Sequence, residues 1–547
     1  MLNIDNFIRL FQGAVKECWD RPALSDFRKS TITYCGLAER IDTLDIIWKK
    51  AGLKPGDKIG INTKSSALGA SVFMAAVSKG YVAVHLYNAF TPADTQRLVN
   101  HSDSKILYTE KRTFDEMNFD EMPQVLCVID GATGDVLASR NGVGELYADG
   151  AKLLAQKYPA GMKPEDFQVA DPDLDDVCAI LYTSGSTGNP KGVMLTYRNF
   201  SANVDYSQRN VPAGDRMVSM LPMAHMYGLV IEFIYPLCNG TAIYWLGKAP
   251  TPATLLKAFA DVKPYLLITV PLVMEKIYKS KVKPTLDKPL VKVLLKIPGI
   301  NNIIYKKVKD GLVQAFGGEV QEFIMGGAAL NPEVEKLFKR IKFPYLVGYG
   351  MTEACPLLAY EHWTKYVAGS CGKAVDVATV RIDSDDPEHI AGEIQAKGEN
   401  ITIGYFKNPE ASANAFTEDG YLRTGDLGIM DKEGNIFIKG RSKSMILSAN
   451  GQNIYPEELE AIINNQPYVA ESVVVDRAGK IVALVYLDND AIKRDNLDSE
   501  TVSDIPEKIR MGANRQLPGY SQIAKVETVL TPFEKTPKMS IKRFLYK

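Results

Sequence analysis

The chain of 547 residues carries 64 Lys and Arg against 65 Asp and Glu, a formal net charge of −1, with 46% hydrophobic and 24% charged residues. Those proportions are globular, so disorder, collagen and coiled coil are excluded as descriptions of the whole chain. A whole-chain nucleic-acid binder would be far more basic, so that class is set aside as well. At roughly 100–200 residues per domain, the length predicts about three to five structural units. The first residues, MLNIDNFIRLFQGAVKECWD, lack a basic stretch followed by an apolar one, and no secretory signal is visible. Leu37–Ala51 reads as a helix ending in the turn Gly52–Asp57, and Lys58–Asn62 as a strand. Helix Ser66–Lys79, closed by Gly80, strand Tyr81–Leu86, helix Pro92–Ser102 and strand Lys105–Tyr108 follow. Strands alternating with helices imply βαβ units and a mostly parallel sheet. The continuous apolar run Val177–Tyr182 predicts a strand buried on both faces.

Met217–Gly247 is the stretch closest to a membrane span, with Glu232 its only formal charge. Pro222, Gly228, Pro236 and Asn239-Gly240 divide it into strand end, loop, buried helix, turn and strand, so a core segment is expected. A second alternating region runs from Thr241 to about Val347. After Gly369, short strands such as Gly392–Lys397 and Asn435–Lys439 predict a small β-rich unit. From Ser442 onward, helix Pro456–Asn464, strands Glu471–Asp476 and Ile481–Leu487, and helix Ser503–Asn514 predict a final α+β unit. The seven cysteines include no CxxC pair, which suggests neither a zinc site nor a disulfide framework and fits a reducing, cytoplasmic compartment.

The most informative segment is Leu181-Tyr182-Thr183-Ser184-Gly185-Ser186-Thr187-Gly188-Asn189-Pro190-Lys191-Gly192-Val193. Gly185 and Gly188 let the backbone curl so that its N–H groups converge on an anion. Thr183, Ser184, Ser186 and Thr187 add hydroxyl donors, and Lys191 adds a point charge. The spacing is not that of a Walker A loop. A flexible linker would need neither a lysine nor four hydroxyls directly after a strand. This is a phosphate cradle.

His225 lies in an apolar stretch, where a histidine alone is more often a core residue. His85, His101, His362 and His389 show no metal-ligand spacing with it. Lys276–Lys309 holds ten lysines and one acid, Asp287, interleaved with Val291–Leu295 and Ile303-Ile304-Tyr305. That pattern reads as a solvated helical face or as a basic, amphipathic membrane-interface patch.

The thirteen residues Leu181–Val193 resemble the signature loop of the adenylate-forming enzymes, which include acyl-CoA synthetases, luciferase-like enzymes and peptide-synthetase adenylation domains. Six blocks continue the resemblance in order. They are Leu221–Gly228 (the acyl site), Gly326–Leu330 (the adenine turn) and Gly348-Tyr349-Gly350-Met351-Thr352-Glu353 (nucleotide and magnesium). Gly392-Glu393-Ile394 with Gly404-Tyr405, Tyr421–Asp426 (ribose) and Gly440–Lys443 (hinge) complete them. Val270–Tyr278 is most like the bacterial long-chain fatty acyl-CoA synthetases.

The resemblance implies an α/β fold: a large N-terminal domain, 1–440, of two doubly wound αβαβα subdomains plus a β-barrel, and a small mobile α+β domain, 441–547, rotating near Lys443. It implies an ATP-dependent fatty acyl-CoA ligase using Mg²⁺ and coenzyme A. A carboxylate is a poor electrophile, and joining it to AMP creates a mixed anhydride with a good leaving group. The transition state gathers negative charge on the α-phosphate and calls for cations and preorganised donors. By the resemblance, Thr183, Ser184, Gly185, Ser186, Thr187, Gly188 and Lys191 hold the phosphates, and Gly327 and Ala328 flank the adenine. Gly348, Tyr349, Gly350, Met351 and Thr352 line the nucleotide. Glu353 and Thr187 hold Mg²⁺ through hard oxygen ligands. Asp426 accepts the ribose hydroxyls with Arg441 beside it, His225 walls the acyl pocket from the nucleotide, and Gly451 lines the tunnel for the thiol arm.

One position departs from the family. Aligning Lys535-Thr536 and Ile541-x-Arg543 places Ser540 where a lysine reaches the substrate carboxylate and α-phosphate during adenylation. Lys538 and Lys542 lie two residues away on either side, about 6–7 Å along an extended tail. Ser540 cripples adenylation, or a neighbouring lysine such as Lys542 replaces it, or the register differs. Other readings are a ligase for an aryl acid or an acyl carrier protein, and a non-turnover protein that holds ATP or an acyl-adenylate. The expected location is cytoplasmic, peripheral to the inner face of a membrane.

Overall fold

Thr33, Ser66 and Thr91 each accept, through the side-chain oxygen, the backbone N–H three residues on. These caps satisfy donors that a helix start leaves open, and they begin the helices Tyr34–Lys50, Ala67–Ser78 and Pro92–Ser102. Strands Lys58–Asn62, Val82–His85 and Ser104–Thr109 alternate with them, within a residue or so of the sequence expectation at most ends. The computed structural model describes residues 4–183, 190–247, 252–447, 453–535 and 541–546. Two compact units emerge. The first comprises Met1–Leu330, Lys336–Val380 and Ala396–Leu422, and the second Asn331–Glu335, Arg381–Gln395 and Arg423–Lys547.

In the first unit, five parallel strands lie in the order Val177–Thr183, Val82–His85, Lys58–Asn62, Ser104–Thr109, Cys127–Asp130. Antiparallel strands extend this sheet to eight. Val136–Ser139 lies on one edge, and Lys191–Thr196 followed by Gly404–Tyr405 on the other. The sheet is parallel at its centre and not at its rims; Cys127–Asp130 with Val136–Ser139, and Val177–Thr183 with Lys191–Thr196, are joined by connections too short for a parallel crossover. Val177–Thr183 is buried along Cys178–Tyr182, as its apolar run requires.

Arg216–Ser219, Ala242–Trp245 and Pro22–Asp26 run parallel in a second sheet, with Thr31–Thr33 antiparallel at its edge. Leu266–Thr269, Glu322–Met325 and Tyr345–Val347 form a parallel trio. Between Arg216–Ser219 and Ala242–Trp245 runs a buried helical segment, Gly228–Ile234 continued by Tyr235–Cys238. The most apolar stretch is thus core, and no described helix is long and apolar enough to cross a membrane. Helix Phe7–Glu17 was not anticipated, although Phe7, Phe11, Ala14 and Val15 recur at helical spacing and are buried. Its ring Phe7 packs near Phe200, and the core continues through Trp48, Phe73 and Phe233.

Asp42, buried in helix Tyr34–Lys50, takes Lys79 Nζ, Lys157 Nζ and the Tyr158 hydroxyl, each at 2.6 Å. Burial alone would raise this carboxyl. The two lysines and the tyrosine outweigh it and hold Asp42 below its ordinary value.

In the second unit, Asp426–Met430 of strand Leu422–Met430 pairs antiparallel with Ile436–Arg441. The C-terminal sheet takes Val469–Arg477 antiparallel to Lys480–Leu487, with Lys525–Val529 parallel beside it. Helices Pro456–Ile463 and Ser499–Asn514 cover it through Leu459, Ile463, Ile505 and Ile509. This is the α+β unit anticipated from Ser442 onward.

Candidate active site

Thr183 ends a central strand and lies opposite Lys191, the first residue of its antiparallel neighbour. The glycine- and hydroxyl-rich segment therefore begins at the carboxyl edge of the sheet, where open α/β folds bind ligands. Ser184, Gly185, Ser186, Thr187 and Gly188 lie outside the described residues. Lys191 is half-buried, and its Nζ stands 5.0 Å from the centroid of the Tyr405 ring. The Tyr405 hydroxyl in turn donates to Glu353 Oε1 at 3.0 Å. Burial, with the Glu353 carboxylate as the next cause, pushes the Tyr405 phenol well up, so it stays a neutral donor. The same two causes raise Tyr87, which places its phenol in the field of Glu353.

Glu353 belongs to the short helical turn Thr352–Ala354, and its carbonyl accepts the Thr402 N–H at 2.8 Å. The preceding residues are tightly placed. Tyr349 is buried opposite Ala359, and the Met351 N–H bonds the Pro356 carbonyl at 2.9 Å. A Cβ on Gly350 would stand 2.1 Å from the Pro356 carbonyl oxygen, so only glycine fits. The Gly348 N–H donates to Met325 at 2.8 Å, which joins this motif to the strand leading into the Gly326 turn. There Gly327 takes φ +84, and Gly327 and Ala328 are exposed.

His225 follows the turn that ends strand Arg216–Ser219, and its Nδ1 accepts the Tyr227 N–H at 3.2 Å. The Tyr227 hydroxyl bonds the Ile324 carbonyl at 3.1 Å, and its ring fills the space a Cβ on Gly326 would need. Leu221–Gly228 and the Gly326 turn therefore meet through Tyr227. Behind them lies Glu232, 0% exposed. It accepts from Ser219 Oγ at 2.8 Å and from the N–H groups of Met220 at 3.1 Å and Leu221 at 2.9 Å. Burial pushes its carboxyl up to about 8, against the pull of these donors. Glu232 thus ties down the residues immediately before Pro222–His225.

In the second unit, Asp426 is 4% exposed and lies opposite Arg441 in the strand register. Arg441 Nε approaches Asp426 Oδ1 at 2.7 Å. Glu393 braces the strand just before it, accepting the Gly425 N–H at 3.1 Å and facing Arg423 at 3.3 Å. Lys443 is exposed on the helical turn Ser442–Ser444. Lys542 Nζ stands 3.3 Å from Glu534, and Lys535 bridges Ile541. Arg543 bonds Glu460 and approaches Glu457 at 3.6 Å. Gly451 and Ser540 lie outside the described residues.

A family model described as AMP-binding enzyme matches residues 10–406, and one described as AMP-binding enzyme C-terminal domain matches 443–546. The chain belongs to the AMP-binding enzyme family. Among curated relatives it is similar to long-chain-fatty-acid–CoA ligase 1 of Saccharomyces cerevisiae, 27% identical over 484 residues, 78% of this chain and 67% of that protein. Its fold matches that of ATP-bound MatB from Rhodopseudomonas palustris, with TM-score 0.76 at 24% identity over 98% of each chain. It also matches MenE from Bacillus subtilis in complex with ATP and magnesium ion, with TM-score 0.73 at 20% identity over 98% of each chain. The mixed α/β architecture, with a large N-terminal and a smaller C-terminal domain, is that of the AMP-binding enzymes.

Two residues of this AMP-binding enzyme escaped the sequence reading of the site. Tyr405 stands in a recognised block, but an aromatic after glycine carries the same signal as a packing residue. Glu232 was visible as the single charge of an apolar stretch, and only the fold shows what it accepts.

Proposed function

We propose that this AMP-forming acid–thiol ligase activates fatty acids. The carboxylate attacks the α-phosphate of ATP, forming acyl-AMP and releasing pyrophosphate. The thiol of coenzyme A then attacks the acyl carbon, forming acyl-CoA and releasing AMP. The observation that carries the reading is the chain Lys191–Tyr405–Glu353, in which a cation and a hard carboxylate share one aromatic support. Lys191 faces the phosphates, with Thr183, Ser184, Gly185, Ser186, Thr187 and Gly188. Gly327, Ala328 and Gly348–Thr352 take the base and sugar side, Asp426 and Arg441 the ribose, and His225 walls the acyl pocket.

The residues present fit magnesium. Among the described residues no group of three or more His, Cys, Asp or Glu could hold a metal ion. Mg²⁺ on a nucleotide needs only one or two carboxylates beside phosphate and water oxygens. Glu353 Oε1 is engaged by Tyr405, and Oε2 has no hydrogen-bond partner among the described residues. With Thr187 it would hold the ion, which when bound neutralises phosphate charge.

The domain boundary is proposed at 440/441, with rotation near Lys443 and the thiol arm passing Gly451. The fatty substrate is supported by Val270–Tyr278, most of which forms helix Pro271–Ile277, and by the relative's likeness. The test is AMP and acyl-CoA formation from a C16 acid, Mg·ATP and CoA, set against aryl acids and an acyl carrier protein. Equimolar AMP and palmitoyl-CoA are expected, and preference for an aryl acid overturns the fatty-acid reading.

We further propose a cytoplasmic enzyme in peripheral contact with an anionic membrane through Lys276–Lys309. Leu290 is 70%, Val293 59% and Ile303 59% exposed, and Ile297 and Ile300 join them, among exposed Lys288, Lys292, Lys296, Lys306 and Lys307. Apolar side chains flanked by cations suit the headgroup boundary. All seven cysteines are free, consistent with that compartment. The protein is expected to co-sediment with vesicles of anionic lipid at low salt and to release as salt rises. Absence of binding at low salt removes this surface from the reading.

A further inference from the structure

We propose that Tyr405 is a positioning residue that sets Lys191 and Glu353 in one geometry, its ring face holding the ammonium and its hydroxyl orienting the carboxylate. What Lys191 and Glu353 bind rests on the ligase reading above. The geometry itself does not.

A lysine and a glutamate near one phosphate site face a problem of their own making. Opposite charges attract, and a direct ion pair would occupy both groups and turn them away from ligand. Among the described residues, Lys191 and Glu353 form no such pair. Tyrosine offers two contacts of opposite polarity on one rigid side chain. The negative face of its π system attracts a cation, and its O–H donates to an anion. Here the Lys191 Nζ lies 5.0 Å from the ring centroid, and the hydroxyl lies 3.0 Å from Glu353 Oε1. Phenylalanine would keep the first contact and lose the second. An aliphatic residue would lose both.

The backbone carrying this side chain is held from several directions. Tyr405 lies opposite Val193 and Gly404 opposite Met194, in the strand that Lys191 begins. The Phe406 N–H donates to the Gly192 carbonyl at 2.8 Å, and the Tyr405 N–H to Ser412 Oγ at 2.9 Å. Thr402 gives its N–H to the Glu353 carbonyl at 2.8 Å and its hydroxyl to the Met194 carbonyl at 2.6 Å. Gly404 takes φ +130, where a side chain would also press on Ser412 Oγ. The segment is therefore stitched to the lysine's strand and to the glutamate's turn at once. The ring carried there meets Lys191 on its face and Glu353 at its hydroxyl.

The test is calorimetric binding of ATP to the full-length chain without acid or CoA, with magnesium chelated and then titrated. Wild type, Tyr405→Phe and Tyr405→Leu are compared, with thermal midpoints as a folding control. Tyr405→Phe is expected to keep magnesium-free ATP affinity within about twofold, because the ring still holds Lys191. Its half-saturating Mg²⁺ is expected to rise by about tenfold, the loss of one hydrogen bond to a charged group. Tyr405→Leu is expected to lose about tenfold in magnesium-free ATP affinity as well. Steady-state kinetics should show the same split, with the phenylalanine variant rescued by high Mg²⁺ and the leucine variant not. If Tyr405→Phe matches wild type in Mg²⁺ dependence, or matches Tyr405→Leu in magnesium-free affinity, the inference is overturned. If Tyr405→Leu does not fold, the comparison of Tyr405→Phe with wild type still decides. If wild type itself binds no ATP, the ligase reading falls and this inference with it.

Discussion

Ser540→Lys is expected to raise the rate of acid-dependent pyrophosphate release by about 10²–10³, the usual worth of one donor aimed at transition-state charge. The expectation comes from the tail, where aligning Lys535-Thr536 and Ile541-x-Arg543 with the family pattern would place Ser540 at the position of the adenylating lysine. The structure weighs on the alternative donor. Lys542 faces Glu534 at 3.3 Å, and its backbone N–H bonds the Glu534 carbonyl at 2.8 Å. Arg543 beside it is engaged by Glu460 and Glu457. To serve adenylation, Lys542 would have to leave its glutamate and shift along the tail. The half-reactions separate the outcomes. Supplied with preformed acyl-AMP and CoA, wild type and Ser540→Lys should make acyl-CoA at equal rates, because the substitution acts on the first step alone. Equal pyrophosphate release by both chains would sink the assignment of Ser540, and Lys542→Ala would then show whether that lysine had taken over.

The second large effect is on ATP affinity. Asp426→Asn is expected to weaken ATP binding on the order of 10²-fold, since hydrogen bonds to a charged group contribute about 1.5–3 kcal/mol each. The substitution keeps the shape of a side chain that is 4% exposed, and it removes the charge facing Arg441 Nε at 2.7 Å. The comparison that separates ribose recognition from a local disturbance is 2′,3′-dideoxy-ATP. Wild type should discriminate against it strongly, and Asp426→Asn should bind both nucleotides alike. A variant that still prefers the natural ribose would place its acceptor elsewhere.

Much of the first unit was legible along the chain. The helix Pro92–Ser102 has the predicted ends because Pro92 can open a helix and Thr91 caps it, both local effects. The C-terminal strands Val469–Arg477 and Lys480–Leu487 followed from runs of β-branched residues. Less legible were the short pieces. Strands Pro22–Asp26 and Thr31–Thr33 carry few residues; the first forms against the edge offered by Ala242–Trp245, and the second pairs with the first. The outer rim of the large sheet was likewise invisible, since nothing in Lys191–Thr196 marks the distant Gly404–Tyr405 as its neighbour.

The site divides in the same way. The sequence by itself determined the order and chemical character of the motifs: a hydroxyl- and glycine-rich segment before Lys191, the carboxylate Glu353, and Asp426 after Thr424-Gly425. Each depends on residue types at fixed short spacing, which neighbours in the chain specify. Only the tertiary structure decided that Tyr405 stands between Lys191 and Glu353, that Tyr227 packs on Gly326, and that Glu232 holds Met220 and Leu221. The first two contacts join residues far apart in sequence, and the third crosses a turn between a strand and a buried helical segment. They exist because sheet pairing and close packing bring their backbones together, and no local pattern of side chains encodes which distant strand becomes the neighbour.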